Sequence, residues 1–235
     1  GIAVSKFVGA LYTGSAALLA EAVHSFSDCG NQALLLFGGW MAQKGPTRQY
    51  PLGRGKEMFF WSFVVALLLF SMGGMFSLYE GLHKIQQPEP LSNPVVGVII
   101  LLIAVALEGM SFRACLKEVA QVNRYPSLWQ WVKHTTAADL LVIFLEDAAA
   151  LLGLVFALAA LLLTWLTGEP LFDGVGSCLI GLLLLATAVV LAREVKSLLI
   201  GEAPADDYRS GLDELLQQAM PGARFLKVIT LQQGV

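Results

Sequence analysis

Residues 140–168 read LLVIFLEDAAALLGLVFALAALLLTWLTG. From Ala148 to Gly168 it carries no charge. A helix needs about 20 apolar residues to cross the hydrocarbon core of a bilayer, and an uncharged run of about 18 or more marks a candidate span. Directly before the run stand Glu146 and Asp147, and before them the apolar segment 140–145. The stretch is therefore one long apolar helix with two acids inside it.

The rest of the chain has the same character. Of 235 residues, 56% are apolar and 14% are Asp, Glu, Lys or Arg, where a soluble domain carries roughly a quarter charged. A monomer of this size cannot hide so much apolar surface in one core. Disordered, nucleic-acid-binding and ordinary cytosolic classes are excluded, which leaves a chain whose solvent partner is a lipid bilayer. The net charge of −3 says little, because charges on opposite sides of a bilayer do not act as one field. Cys29, Cys115 and Cys178 have no CxxC spacing, and so read as small apolar side chains rather than as a disulfide framework or a thiolate zinc site. The sequence starts at Gly1 with no methionine and no signal peptide, and is expected to be part of a longer protein.

Three more runs pass the span criterion, 58–79, 90–107 and 174–192. Two shorter ones, 7–20 and 29–43, fail it because Glu21, His24 and Asp28 lie between them. If those interruptions are placed inside helices, six spans result, at about 1–16, 18–43, 58–82, 93–115, 138–166 and 171–193. The expected fold class is thus an all-α membrane protein, a bundle of six transmembrane helices with both termini on one side. Lys44, Arg48, Arg54, Lys56, Arg113, Lys117, Arg124, Lys133, Arg193 and Lys196 share that side, against Lys84 on the other. The positive-inside bias makes it the cytoplasm. Thr13-Gly-Ser15, Gln87-Pro-Glu-Pro90 and Thr167-Gly-Glu-Pro170 supply the tight outer connections. Trp40, Trp61, Trp129, Trp131 and Trp165 fall near span ends and suit an interfacial belt. The pairs Gly38-Gly39 and Gly73-Gly74 suit close helix packing. After Gly201 the acids become dense; 205–220 reads as an amphipathic soluble helix and 225–231 as a short strand. The domains are therefore a six-span transport domain over 1–200 and the incomplete start of a cytoplasmic domain over 201–235.

Ionisable residues at membrane depth cost about 2.5–3.5 kcal/mol each on insertion scales, roughly 8–10 kcal/mol for Asp28, Glu146 and Asp147 together. Spans two and five contain no lysine or arginine at that depth, so protonation, water or a bound cation must offset the cost. At about 100° per residue, Asp28, Glu21 and Asn31 fall within roughly 60° of His24 on one helix face. The i, i+4 spacing of His24 and Asp28 lets an imidazole and a carboxylate reach one ion. Asp147 is the natural partner from a facing helix, and Glu146 an additional ligand or a proton carrier. Glu21, Asn31 and Glu108 are supporting polar groups around the ligands, with bonds to neighbouring helices as the bland reading of Glu21 and Glu108. His83 and His134 fall in or near loops.

Lys6-Phe-Val-Gly9, the run Thr13-Gly-Ser-Ala-Ala-Leu-Leu-Ala-Glu-Ala-Val-His-Ser-Phe-Ser-Asp28 and Tyr50-Pro-Leu-Gly-Arg-Gly-Lys56 resemble the cation diffusion facilitator family, six-span transporters that exchange zinc or related divalent ions for protons. The resemblance runs from the first residue into the tail, which is similar to the start of that family's ferredoxin-like cytoplasmic domain. It implies His24 and Asp28 as the ligand pair of span two, Asp147 as a ligand of span five, and a homodimer. Four residues before Asp147, where most members have histidine, stands Ile143. The Glu146-Asp147 pair resembles the branch with a Glu-Asp pair in the fifth span, which contains a mitochondrial zinc transporter and its bacterial relatives. One imidazole with carboxylates suits Zn²⁺, and Fe²⁺, Mn²⁺ and Co²⁺ accept the same donors.

The expected function is export of a divalent metal, zinc first, by proton-coupled alternating access, since ligands must lose protons to hold metal. The alternative is a non-transporting scaffold or metal sensor. An intramembrane enzyme is not expected: His-Glu-x-x-His is absent, and Gly174-Val-Gly-Ser-Cys178 is not a Gly-x-Ser-x-Gly elbow. The expected location is a bacterial inner membrane, with an organelle membrane as the other physical fit.

Overall fold

At Gly14 the chain reverses between its first two helices. Its φ of +70° is the left-handed region that favours glycine, and its N–H closes the preceding helix on Ala10 O at 2.8 Å. Ser15 then starts the next helix, its Oγ accepting from the Leu18 N–H at 3.1 Å. The computed structural model describes residues 1–201 apart from Arg124, Thr136 and the side chains of His134 and Ala138, together with Leu215 and Ala219. All the regular structure it describes is helical: α1 (Ile2–Thr13), α2 (Ala16–Ala42), α3 (Glu57–Leu68), a wide π-helical turn (Leu69–Met75), α4 (Phe76–Gln86), α5 (Pro94–Val122), α6 (Leu128–His134), α7 (Ala138–Thr167) and α8 (Leu171–Ile200).

Four stretches are long and apolar enough to cross a membrane: Glu57–Gln86, which runs α3 into α4 through the π turn, Pro94–Val122, Asp139–Thr167 and Leu171–Ile200. These are spans three to six of the sequence reading. Helix α1 is a shorter apolar helix of 12 residues, and α2 has 27 residues but carries the polar series Glu21, His24, Asp28 and Asn31. The sequence places a loop between spans four and five, yet part of it folds as α6, capped by Ser127 Oγ accepting from the Gln130 N–H at 3.2 Å. The tail regions 205–220 and 225–231 lie outside the described residues, except that Leu215 and Ala219 are helical.

The apolar interior is split in two. One cluster holds Ala17, Leu18 and Ala20 of α2 with Leu154, Ala157 and Leu161 of α7 and Ile180 and Leu184 of α8. The other holds Leu35 of α2, Leu141, Val142 and Phe144 of α7, Leu191 and Val195 of α8, and Trp131 of α6. On α2 the acids Glu21 and Asp28, and on α7 the acids Glu146 and Asp147, lie in the chain between the two clusters. Trp131 is a correction to the aromatic belt: only 1% exposed, it packs edge-on against Phe144 with centroids 5.5 Å apart. Trp40, Trp129 and Trp165 are exposed, as an interfacial ring requires. Leu36, Leu107, Leu166 and Leu182 also face outward, and in water such a surface would not remain unassociated.

Glycines let α4 and α8 approach to backbone contact. A Cβ on Gly81 would lie 2.7 Å from both Cys178 N and Gly174 O, and one on Gly181 would lie 2.8 Å from Leu78 N. Gly73 and Gly74 face Leu184 and Leu185 in the same seam, which agrees with the packing role expected of that pair. Gly81→Leu is therefore expected to exceed the ordinary overpacking cost of about 1–3 kcal/mol and to abolish a monodisperse elution peak in detergent. Gly109→Leu, where a Cβ meets nothing within 4 Å, should elute as the parent does.

Candidate functional site

Between the two apolar layers α2 and α7 face one another, with α1 and α5 closing the sides. A cavity of about 220 Å³ lies there. Its polar lining comes from Ser25, Asp28 and Gln32 of α2, Glu108 and Ser111 of α5, and Glu146 and Asp147 of α7. Residues 1–3 at the start of α1 form part of the wall. Helical spacing explains α2's share: residues 25, 28 and 32 fall on one stripe.

The acids are held in different ways. Asn31 donates its amide N–H to Glu146 Oε1 at 2.5 Å across the α2–α7 interface. Ser111 of α5 donates to Asp147 Oδ2 at 3.3 Å. Asp28 and Glu108 both lie within Coulombic reach of Asp147, and Glu146 within reach of Asp28. His24 is fully buried, with Nδ1 3.4 Å from Asp28 Oδ1. That approach is not a hydrogen bond, for neither ring nitrogen of His24 has a hydrogen-bond partner, nor has Asp28 Oδ1. Buried polar atoms are normally bonded, and these unbonded atoms lie on one face of α2.

The expected site residues thus fall into groups. Asp28, Glu108, Glu146 and Asp147 share the cavity; His24 touches it only through Asp28 and does not line it. Asn31 supports Glu146 directly. Glu21 instead turns to α1, where Lys6 Nζ lies 3.2 Å from its Oε2, both side chains being fully buried. Lys6 also donates to Ser25 Oγ at 2.8 Å. Among the described residues no lysine or arginine is ion-paired with Asp28, Glu146 or Asp147; the buried lysine comes from α1 and pairs with Glu21. Among the described residues no three His, Cys, Asp or Glu side chains close on a common point tightly enough to hold a metal ion. The acids ring an open cavity rather than a finished coordination sphere.

Two features carried no signal in the sequence reading. Asp139, two turns before Asp147, lines a larger, mostly apolar groove of about 490 Å³ with Gln43 and Ile143, and Gln32 borders both this groove and the acidic cavity. At the far end of α2, Asp173 of α8 is fully buried. It accepts from Ser15 Oγ and the Ala16 N–H at 2.6 Å each and from the Ala17 N–H at 3.4 Å. A carboxylate on the free N–H groups of a helix N-terminus is favourable electrostatically. Beside it Lys84, which the sequence places in an outer loop, sits in the last turn of α4 at 6% exposure and donates to Gly14 O at 2.7 Å. This end of the bundle is pinned shut by polar contacts.

Comparison with known proteins adds an independent line. Residues 1–200 match the family described as Cation efflux transmembrane domain. The chain is 34% identical over 214 residues to the mitochondrial proton-coupled zinc antiporter of Xenopus laevis, covering 90% of this chain and 38% of that protein. It is 30% identical to metal tolerance protein C4 of Arabidopsis thaliana, over 85% of this chain and 44% of that one. It is 26% identical to the zinc transporter ZitB of Pectobacterium atrosepticum, over 98% of this chain and 67% of that one. The chain thus spans less than half the length of the first two of these relatives.

Proposed function

The chain belongs to the cation efflux family, and from that premise we propose that it is the membrane part of a divalent-metal transporter, zinc its first substrate, which exports metal from the cytoplasm in exchange for protons. The observation that carries this reading is the joint placement of Asp28, Glu146 and Asp147, from two facing helices, on one small cavity between two apolar layers. Lipid and apolar side chains offer those acids nothing, so a cation or protons must occupy the cavity.

In this reading α1 and α2 cross the membrane with the four longer spans, giving six. The loops rich in lysine and arginine face the cytoplasm. Ser25, Asp28 and Gln32 lie midway along α2, which places the cavity near the middle of the bundle, with residues 1–3 in its wall. The contacts at Asp173 and Lys84 then close the outer half. His24, Asp28 and Asp147 are the ligands, with Glu146 as a fourth donor or the proton carrier. Small shifts of α2 against α7 bring His24 Nε2 and the carboxylates together on the ion. A site that kept a structural ion as a sensor or scaffold would hold its ligands closed; the open ring favours a passing ion. The likeness to a mitochondrial zinc antiporter is in keeping with the Glu-Asp branch, and dimerisation through a cytoplasmic tail domain is carried over from the family as part of this proposal.

Loading requires deprotonated ligands, so binding releases protons and affinity falls as pH falls. Zinc movement into proteoliposomes should therefore follow an imposed pH gradient and reverse when it is reversed. Zinc flux indifferent to the gradient would remove the exchange mechanism. Ile143 stands one helical turn from Asp147. Ile143→His adds an imidazole there and is expected to raise the ratio of zinc to manganese transport several-fold, because nitrogen donors favour the later metal. An unchanged ratio would show that residue 143 does not reach the ion.

A further inference from the structure

The most unusual group in the bundle outside the proposed ligands is Lys6. Its side chain is fully buried at 0% exposure, as is that of Glu21, its partner at 3.2 Å. The ammonium also donates to Ser25 Oγ at 2.8 Å, and Ser25 forms part of the acidic cavity's wall. Glu21 is one turn from His24 on the same face of α2. Its second oxygen, Oε1, has no partner and points to Gly153 of α7, whose missing side chain leaves the room for it; a Cβ there would collide with that oxygen.

A buried ion pair is weak evidence of stabilisation, since removing two charges from water costs about as much as their attraction returns. This pair calls for another explanation, and its position supplies one. Resting on the metal-site reading above, we propose that Lys6 is a tethered counter-cation that keeps Glu21 out of the metal site and so sets the charge the site presents to the ion. With Glu21 neutralised by Lys6, the ion meets the carboxylates of Asp28, Asp147 and Glu146 alone. Lys6 acts as a positioning residue for charge, not as a ligand.

The test is a double-mutant cycle on the full chain purified in detergent, with zinc chloride titrated calorimetrically. Glu21→Gln leaves the ammonium unpaired beside the site and is expected to weaken zinc binding about tenfold or more, since an uncompensated charge acts strongly at low dielectric. Lys6→Met with Glu21→Gln removes both charges and should return the affinity to within about threefold of the parent. Lys6→Met alone frees Glu21 to meet the ion and should bind tighter than the double variant by about tenfold. If Glu21→Gln binds as the parent does, or if the double variant is as weak as Glu21→Gln, the counter-cation role is overturned; the second result would make Glu21 itself a ligand. Should Glu21→Gln fail to fold, equal affinity of Lys6→Met and the double variant overturns the role by itself. Asp28→Asn, titrated in parallel, separates the two readings: loss of zinc binding there together with a flat Lys6 cycle defeats this inference alone, whereas unaltered binding in Asp28→Asn defeats the metal site on which it rests.

Discussion

Asp28→Asn is expected to lower zinc transport in proteoliposomes by more than about 100-fold, with the folded protein still recovered. Partners that merely support a metal ligand cost about 10–100-fold when removed, and a ligand costs more. Asparagine keeps the shape and one oxygen but loses the charge that draws a divalent ion into an apolar surround. The side chain has no structural duty to lose: its Oδ1 is unbonded and the residue lines the cavity. Asp147→Asn should be comparable. Glu146→Gln should lose less, because Asn31 already satisfies one of its oxygens and an amide there still accepts that bond. Transport by Asp28→Asn at the parent rate would take Asp28 out of the ion's path.

Asp173→Ala is expected to lose several kcal/mol of stability. It strips acceptors from Ser15 Oγ and from the Ala16 and Ala17 N–H groups, all on buried residues. Breaking a buried charged group's bonds costs about 3–5 kcal/mol, and a thermal melt in detergent should register it as a large drop in Tm. Asp173→Asn, which keeps one acceptor oxygen, should fall between. Ser15→Ala, losing a cap and a single bond to Asp173, should cost about 1 kcal/mol. If Asp173→Ala melts with the parent, the outer end of α2 is held by its packing against α1 and α8, and the polar contacts at that end are dispensable.

Much of the site was legible from composition because of one physical asymmetry. In an apolar run an acid is conspicuous, and its cost at membrane depth demands a reason, so Asp28, Glu146 and Asp147 could be singled out with no partner in view. The periodicity of α2 likewise placed His24, Asp28 and Asn31 on one face, and that face does point at α7. Lys6 was quoted within a motif, yet its pairing was not seen. A lysine in the first turns of an N-terminal helix reads as an ordinary flank, and only the packing of α1 on α2 carries its ammonium to Glu21. Asp173 was missed for a similar reason. It stands just before an uncharged run, where an acid passes for a loop residue, and its bonds reach residues more than 150 positions away. Trp131 misled through its neighbours in the chain: tryptophan near a span end suits an interface, but α6 folds it inward onto Phe144.

Hydropathy and helical periodicity are properties of short stretches, and they were enough to identify the lipid solvent, the four long apolar spans and the acids that line the cavity. The tertiary structure decided which charges meet. Ion pairing, the closure at Asp173 and the shape of the cavity depend on distances between helices far apart in the chain, and a residue's type does not say whether its partner will be water, lipid or an opposite charge.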